Sequence, residues 1–414
     1  MINCFYDCYR ILNKVYSEKA FIKQAINDTV IEEKNRALTV KICYGVLDTD
    51  YELSYYLKLL AGKNPKLVVR TILKISMYAI RHLEKKEYAV IDNAVSLTKK
   101  LGKSGASGFV NAFLRRFVKE KPQIPTDLED YLSIKYSYPN FAVKELIGKY
   151  GKERTESIIG AKNSKTILAF YDVDGEEYLT KNGYKFEKTP FCNVFSLDRF
   201  NRNSDYDNGL YTYQALGSVA ICEVVEPCDK LLDCCSAPGG KSVRLSYKCK
   251  SVTAFELHPH RVGLINSYVR RMKRTNVTAY CKDASVYDEN YDSAFDGVLV
   301  DAPCSGLGTV CDNPDIRLNR EELDVVSLTK EQIKLLSVAS KYVKVGGYLY
   351  YSTCSILPSE NERTIEKFLE NNNDFQIEKI DSKLPHEKSS VGITFLPDVS
   401  GGLGFYVCKL KRVK

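Results

Sequence analysis

Residues 230–241 read K-L-L-D-C-C-S-A-P-G-G-K. A short apolar run closes on an acid at Asp233, and paired glycines, Gly239 and Gly240, follow before the next helical pattern. A buried strand that ends in a carboxylate and turns through glycines into a helix opens a βαβ unit. The pattern then recurs in V252-T-A-F-E, V277-T-A-Y, F295-D-G-V-L-V and G347-Y-L-Y-Y-S-T-C, with amphipathic segments between these runs. Such alternation predicts a doubly wound parallel sheet, an α/β Rossmann-like domain over 227–414.

Ligands of such sheets bind outside the carboxyl ends of the strands, and the chemically distinctive residues fall there. Gly239 and Gly240 allow close backbone approach to a ligand, the following helix offers its N-terminus, and Lys241 could pair with a ligand carboxylate. Glu256 ends the second strand 23 residues after Asp233, about the interval at which a carboxylate holds ribose hydroxyls. Asp283, in K282-D-A after the third strand, joins the same rim. This is the layout of a nucleoside cofactor site, while the lack of G-x-G-x-x-G argues against a dinucleotide. Strands four and five end in D301-A-P-C-S-G and S352-T-C-S, so Cys304 and Cys354 are expected on neighbouring strands beside the cofactor. Two thiols so placed, one of them preceded by Asp and Pro, point to chemistry rather than to inert buried sulfur. The residues alone leave open which thiol attacks.

Upstream the period changes. Phe5, Tyr9, Leu12 and Tyr16, then Leu67, Ile72, Ile75 and Ala79, then Val90, Ala94, Leu97 and Leu101 recur at helical spacing, predicting an all-α domain of six or seven helices over 1–125. The proline-punctuated K121-P-Q-I-P ends it. Residues 126–226 read as linker helices and then a small α+β module, with strands at I167-L-A-F-Y-D-V and V194-F-S-L around a polar helix near 175–182.

A chain of 414 residues with 44% hydrophobic content supports two or three domains with real cores. It contains no apolar run of the roughly 18 residues that would span a membrane, and charges interrupt its first ten residues. A cytoplasmic location without a membrane association is therefore expected. The 14 cysteines are few for this length and none forms a C-x-x-C pair, so reduced thiols are expected. There are four histidines, and His258 and His260 flank a proline without cysteine partners nearby, so no metal site is expected. The net charge of +8 is uneven: residues 1–125 carry 22 Lys/Arg against 12 Asp/Glu, a net of +10, and the remainder carries −2. That surplus points to a polyanion, nucleic acid, as the partner of the N-terminal domain.

At its strand-end motifs the chain resembles the RNA cytosine-5 methyltransferases of the Nop/Sun family, which share C235-S-A-P-G-G-K, D301-A-P-C-S-G and S352-T-C-S-I-L-P-S-E-N-E. I91-D-N-A-V-S-L-T-K-K-L and G108-F-V-N-A-F-L-R-R are similar to the NusB-type RNA-binding domain. A NusB-like domain ahead of this catalytic domain is the arrangement of the bacterial members that act on 16S ribosomal RNA. The resemblance implies S-adenosyl-L-methionine as cofactor, bound by the loop Cys235, Ser236, Ala237, Pro238, Gly239, Gly240 and Lys241. It further implies Glu256 at the ribose, Asp283 on the adenine side, Asp301 near the methyl end, and Arg261 within the cofactor set. Cys354 is implied as the nucleophile on C6 of cytosine, Cys304 as the thiol that assists release, and Asp301 as the residue that holds the base edge.

The implied enzyme is a monomer acting on 16S rRNA or on a small-subunit assembly intermediate. Alternatives are transfer RNA as substrate, or a NusB-like assembly factor with an inactive methyltransferase domain, against which the intact Cys304, Cys354 and Asp301 argue. The chain departs from the family pattern at four places: Glu256 replaces Asp, I167-L-A-F-Y lacks Arg-Val-Asn, Pro314 to Arg317 lacks a nearby Trp, and G402-L-G-F-Y replaces Asp-Gly-Phe-Phe.

Overall fold

The computed structural model describes residues 2–127, 129–162 and 165–414. The chain forms two compact units: one takes in residues up to Gly160 together with Val310–Arg320, the other Ala161–Thr309 with Glu321–Lys414. This grouping differs from a three-part division at 125 and 226. Hydrogen bonds explain the difference. Tyr51 N–H donates to Ser137 Oγ at 3.1 Å, holding the later helices to the helical unit. Tyr247 OH donates to Asp172 Oδ2 at 2.8 Å, holding the small module to the α/β unit.

Among its described residues the helical unit contains α1 (Ile2–Glu18), α2 (Ile22–Asn27), α3 (Glu33–Asp48), α4 (Asp50–Ala61), α5 (Leu67–Arg81), α6 (Glu87–Lys100), α7 (Ser107–Glu120), α8 (Tyr131–Tyr136), α9 (Asn140–Tyr150) and α10 (Lys152–Gly160). Helix α5 is central. It buries Ile72, Leu73, Ile75, Met77 and Ala79 and also Thr71, Lys74 and Ser76, so it is enclosed on every side rather than along one stripe. A lysine in such a position needs a counter-charge. Lys74 Nζ donates to Asp50 Oδ1 at 2.7 Å, and Tyr16 OH donates to the same oxygen at 2.5 Å. Burial lowers the pKa of Lys74 below the ordinary lysine value, against the opposing pull of Asp50. Residues 310–320 join this unit through Arg317, whose guanidinium donates to Asp48 O and Oδ1 at 3.2 and 3.1 Å.

The second unit holds two sheets. β1 (Thr166–Phe170), β2 (Glu187–Lys188), β3 (Val194–Leu197) and β4 (Tyr211–Tyr213) pair antiparallel in the order β2-β3-β1-β4 around buried Leu168, Phe170, Phe195 and Tyr211. Helix α11 (Gly175–Lys181) lies in the connection, its N-terminus capped by the Asp174 carboxylate, which accepts from Glu176 N and Glu177 N at 2.9 and 3.1 Å. The chain continues through α12 (Ser204–Asp207) and α13 (Leu216–Val224).

The larger sheet follows with β5 (Lys230–Asp233), α14 (Gly240–Leu245), β6 (Ser251–Glu256), α15 (Pro259–Arg271), β7 (Val277–Cys281), β8 (Phe295–Asp301), α16 (Glu322–Tyr342), β9 (Val343–Thr353) and α17 (Glu362–Glu370). It ends in β10 (Phe375–Ile377), β11 (Glu387–Lys388), β12 (Ile393–Phe395) and β13 (Phe405–Arg412). The order is β11-β12-β13-β9-β8-β5-β6-β7, with β10 paired to β13. β7, β6, β5, β8 and β9 run parallel, and β13 joins β9 antiparallel. The sheet is thus mixed, carrying an antiparallel extension beyond the expected parallel core. Strand order reverses between β5 and β8, and the crevice for a ligand in such a sheet opens at that reversal. No helix among the described residues is long and apolar enough to cross a membrane.

Removing one partner of a buried ion pair costs more than replacing it by an apolar group of like shape. Asp50→Ala, which strands both Lys74 and Tyr16, is expected to destabilise the helical unit by about 3 kcal/mol, and Lys74→Met by clearly less. Thermal unfolding checks this, and equal losses in the two variants would contradict it.

Candidate active site

The site begins where β5 ends. Asp233 is fully buried; Ser242 Oγ donates to its Oδ2 at 2.6 Å, and its Oδ1 has no hydrogen-bond partner among the described residues. Burial pushes its pKa up to about 6, with Ser242 opposing and the nearby Asp301 charge adding to the rise. The turn that follows needs glycine at 239. Its φ is +104°, and an added Cβ would lie 3.3 Å from Ile265 Cα. Lys241, which could pair with a ligand carboxylate, has its Nζ 2.7 Å from Asp301 Oδ2. The parallel pairing of β5 and β8 sets the two strand ends side by side and brings this pair together. Burial works against the lysine's charge, but Asp301 outweighs it and pushes Lys241 above the ordinary range.

Glu256 closes β6 and is buried. Its Oε1 accepts from His258 N at 3.0 Å and from Arg261 Nη1 at 3.3 Å, and Arg261 Nη2 reaches Ala237 O at 3.4 Å. Arg261 therefore ties the glycine turn to the end of the second strand. Asp283 lies past β7, half-buried, with Oδ1 accepting from Ser285 N at 2.8 Å; the hydrogen bonding of Ser285 holds its pKa below the usual aspartate value.

β8 and β9 bring the thiols together. Asp301 faces Ser352 in register, and Ser352 Oγ donates to Asp301 Oδ1 at 2.7 Å. Just beyond, Cys304 Sγ and Cys354 Sγ lie 3.2 Å apart, both half-buried. The shared S–H···S contact separates the two thiols in acidity. Cys354 is lowered, first by that hydrogen bond and with help from Lys241, although burial and Asp301 oppose it. Cys304 is raised well above its ordinary value by the same hydrogen bond, by burial and by the charge of Glu360.

Several residues that hold this geometry carry no assignment from sequence. Glu360 is fully buried and accepts from Ser305 N at 2.7 Å, Ser305 Oγ at 2.5 Å and Gln332 Nε2 at 3.2 Å. It anchors the loop of Cys304. Asn361 does the same for Cys354: its Oδ1 accepts from Thr353 Oγ1 at 2.6 Å, and its Nδ2 donates to Ser355 O at 3.0 Å. Both sit in S359-E-N-E, seven or eight residues past the end of β9 at Thr353, and the only signal available was their place in the S352-T-C-S-I-L-P-S-E-N-E motif. Gly308 completes the arrangement, donating from N to Cys354 O at 2.9 Å while its O accepts from Gly404 N at 2.6 Å. A Cβ on Gly308 would lie 2.2 Å from Gly404 O and 2.7 Å from Cys354 O, so the three backbones meet only without a side chain there.

Residues 223–411 match the family model described as 16S rRNA methyltransferase RsmB/F, and residues 8–119 match that of the NusB family. The probable ribosomal RNA small subunit methyltransferase B of Bacillus subtilis (strain 168) is 30% identical over 97% of this chain and 95% of its own. This protein belongs to the RsmB/F family of 16S rRNA methyltransferases. The ribosomal RNA small subunit methyltransferase B of Pasteurella multocida (strain Pm70) is 28% identical over 98% of this chain and 95% of its own. The crystal structure of PH0851 shares the fold, with a TM-score of 0.83 at 21% identity over 99% of this chain and 98% of that one.

The RsmB/F family uses S-adenosylmethionine, and the rim fits such a group. The orphaned Asp233 Oδ1 and the carboxylates of Glu256, Asp283 and Asp301 offer acceptors suited to an ammonium and a ribose diol.

Two outcomes are expected. Glu360→Ala should lower kcat about 10²-fold, the scale of a misplaced reacting group, with KM for cofactor unchanged and partial recovery in Glu360→Gln; a change confined to KM would contradict a positioning role. Cys304→Ala removes the S–H that lowers Cys354, so the pH midpoint for alkylation of Cys354 by iodoacetamide should move upward. An unmoved midpoint by peptide mass spectrometry would contradict the thiol pairing.

Proposed function

We propose that this enzyme methylates C5 of a cytosine in 16S rRNA through a covalent bond between Cys354 and C6 of the base. The observation that carries the reading is the thiol pair at 3.2 Å beside Asp301 at the ends of β8 and β9. C5 of cytosine is a poor nucleophile. Addition of the Cys354 thiolate to C6 forms the S–C6 bond and moves the electron pair of the C5–C6 double bond toward C5 and N3. Asp301 hydrogen-bonds the base edge while N3 takes up a proton from water as negative charge builds there, and Lys241, paired with Asp301, adds positive charge beside it. S-adenosylmethionine, when bound against the loop 235–241, supplies the methyl group. Once C5 carries both methyl and hydrogen, the C5 proton passes to water, its electron pair re-forms the C5–C6 double bond as the S–C6 bond breaks, N3 returns its proton to solvent, and Cys354 leaves as thiolate. Cys304, which its raised pKa keeps protonated, donates a hydrogen bond from its S–H to the departing thiolate.

Cofactor contacts in this reading are the loop Cys235–Lys241, Glu256 at the ribose and Asp283 on the adenine side, with Arg261 bracing the loop and Glu256. We place the activity in the cytoplasm, on a 16S rRNA or small-subunit assembly intermediate, with residues 1–125 as the RNA-binding part and a monomer as the working form.

Transfer of labelled methyl from S-adenosylmethionine into 16S rRNA tests the reading. Cys354→Ala should abolish transfer with cofactor affinity kept within a few-fold. Cys304→Ala should instead accumulate a protein–RNA adduct that survives denaturation. The adduct appearing only when Cys354 is replaced would reverse the two roles, and transfer into transfer RNA alone would replace the substrate. Glu256→Ala should weaken cofactor binding by about 1–3 kcal/mol, and unchanged calorimetric affinity would remove that residue from the pocket.

A further inference from the structure

The residues on either side of each thiol are held by different side chains. Around Cys354 one residue suffices: Thr353 Oγ1 donates to Asn361 Oδ1 at 2.6 Å, and Asn361 Nδ2 donates to Ser355 O at 3.0 Å. Around Cys304 two residues act together. Gln332, on α16, donates from Nε2 to Pro303 O at 3.0 Å and to Glu360 Oε1 at 3.2 Å, and Glu360 accepts from Ser305 N and Ser305 Oγ. The two sets of contacts meet where Ser305 Oγ and Ser355 Oγ lie 3.3 Å apart. Gln332 is fully buried, on a helix that also buries Val325, Leu335, Leu336 and Ala339. An amide in such a place costs stability unless its hydrogen bonds are made. Its Oε1 accepts from Thr364 Oγ1 at 3.4 Å, which turns Nε2 toward Pro303 O and Glu360, both of them acceptors.

We propose that Gln332 is a positioning residue for Cys304, acting on breakdown of the covalent adduct and not on its formation, and that Asn361 is the corresponding residue for the attacking Cys354. This rests on reading Cys354 as the nucleophile and Cys304 as the thiol that assists release. The separation of the contacts carries the argument. Cys304 lies between Pro303, held by Gln332, and Ser305, held by Glu360, and Gln332 joins the two by donating to both Pro303 O and Glu360. Without that amide, Pro303 O and one oxygen of a buried carboxylate each lose a donor, and the loop of Cys304 is free to shift. The 3.2 Å contact between the sulfurs then lengthens, and the thiolate that departs as the S–C6 bond breaks loses the S–H that stabilises it. Attack on C6 draws on other groups: Asn361 grips the flanks of Cys354, and Asp301 with Lys241 stands at the base edge. The thiols share one pocket, yet each stage of the reaction is supported by its own side chains.

Full-length protein, 16S rRNA and methyl-labelled S-adenosylmethionine test this, with single-turnover methyl transfer read against steady-state turnover and against adduct on denaturing gels. All rates are taken on the alkaline plateau of each variant, so that the acidity of Cys354 does not enter. Gln332→Leu should keep the single-turnover rate within about twofold, lower steady-state turnover about tenfold and accumulate adduct. Thr364→Val, which frees the amide to turn, is the milder variant and decides the matter if Gln332→Leu does not fold; it should shift the same quantities in the same direction by about threefold. Asn361→Ala should instead lower the single-turnover rate at least about tenfold and accumulate no adduct. In a Cys304→Ala background, Gln332→Leu should change the rate of adduct breakdown by less than about twofold, because the group it positions is gone. Equal losses in single-turnover and steady-state rates without adduct, in Gln332→Leu and Thr364→Val alike, would overturn the proposal, as would an undiminished effect of Gln332→Leu in the Cys304→Ala background. Either result, with the wild type still bonding RNA through Cys354, leaves the enzymatic reading standing. A wild type that transfers no methyl group, or that bonds RNA through Cys304, overturns the reading itself.

Discussion

The register between β8 and β9 is the constraint on which the site depends. Asp301 lies opposite Ser352, and two and three residues further on the chains deliver Cys354 and Cys304 to within 3.2 Å. A slip of one residue would turn Ser352 away from Asp301 and separate the sulfurs. Burial alone cannot fix that register, because Val298, Leu299 and Val300 on one strand and Leu349, Tyr350 and Tyr351 on the other are all buried, leaving no polar face to be exposed by a slip. The strand ends supply what alternation does not. Ser352 Oγ donates to Asp301, Ala302 N donates to Ser352 O at 2.9 Å, and Gly308 N donates to Cys354 O at 2.9 Å.

Around this register the protein concentrates charge in a place where charge is costly. Asp233 and Glu360 are buried carboxylates and Lys241 neutralises Asp301. Glu360 offsets its desolvation by accepting from three donors, and in doing so fixes Ser305 next to Cys304. Asp233 is less well satisfied, and its raised pKa means the folded protein binds a proton there more readily than the unfolded chain. Its contribution to stability therefore declines as pH rises from the ordinary aspartate range through about 6. Such an incompletely satisfied acid beneath a cofactor loop is the kind of destabilisation found at functional sites.

Much of the catalytic unit is legible in sequence because strand ends in an α/β sheet coincide with changes in residue type. Asp233, Glu256, Asp301 and Thr353 each close an apolar run and each closes a strand. The same local reading fails where partners are distant. The pairing of Lys241 with Asp301, 60 residues away, has no local signal in the sequence. The antiparallel strand β13 and the role of Gly404 are invisible for the same reason: the contact to Gly308 joins segments whose spacing carries no periodic signal. In the helical unit, Lys74 looks like a break in an apolar face, and only the fold shows that Asp50 and Tyr16 supply its partners.

The central claim is that Cys354, and not Cys304, bonds to the base. It is tested most directly with 16S rRNA carrying 5-fluorocytosine, in which fluorine cannot leave C5 as the proton does, so the enzyme remains attached after methyl transfer. Peptide mapping of the trapped complex by mass spectrometry then identifies the bonded sulfur. Attachment to the peptide containing Cys354, dependent on S-adenosylmethionine for full yield, is the predicted result; attachment through Cys304, or no adduct with an enzyme that still methylates unmodified RNA, would contradict the account.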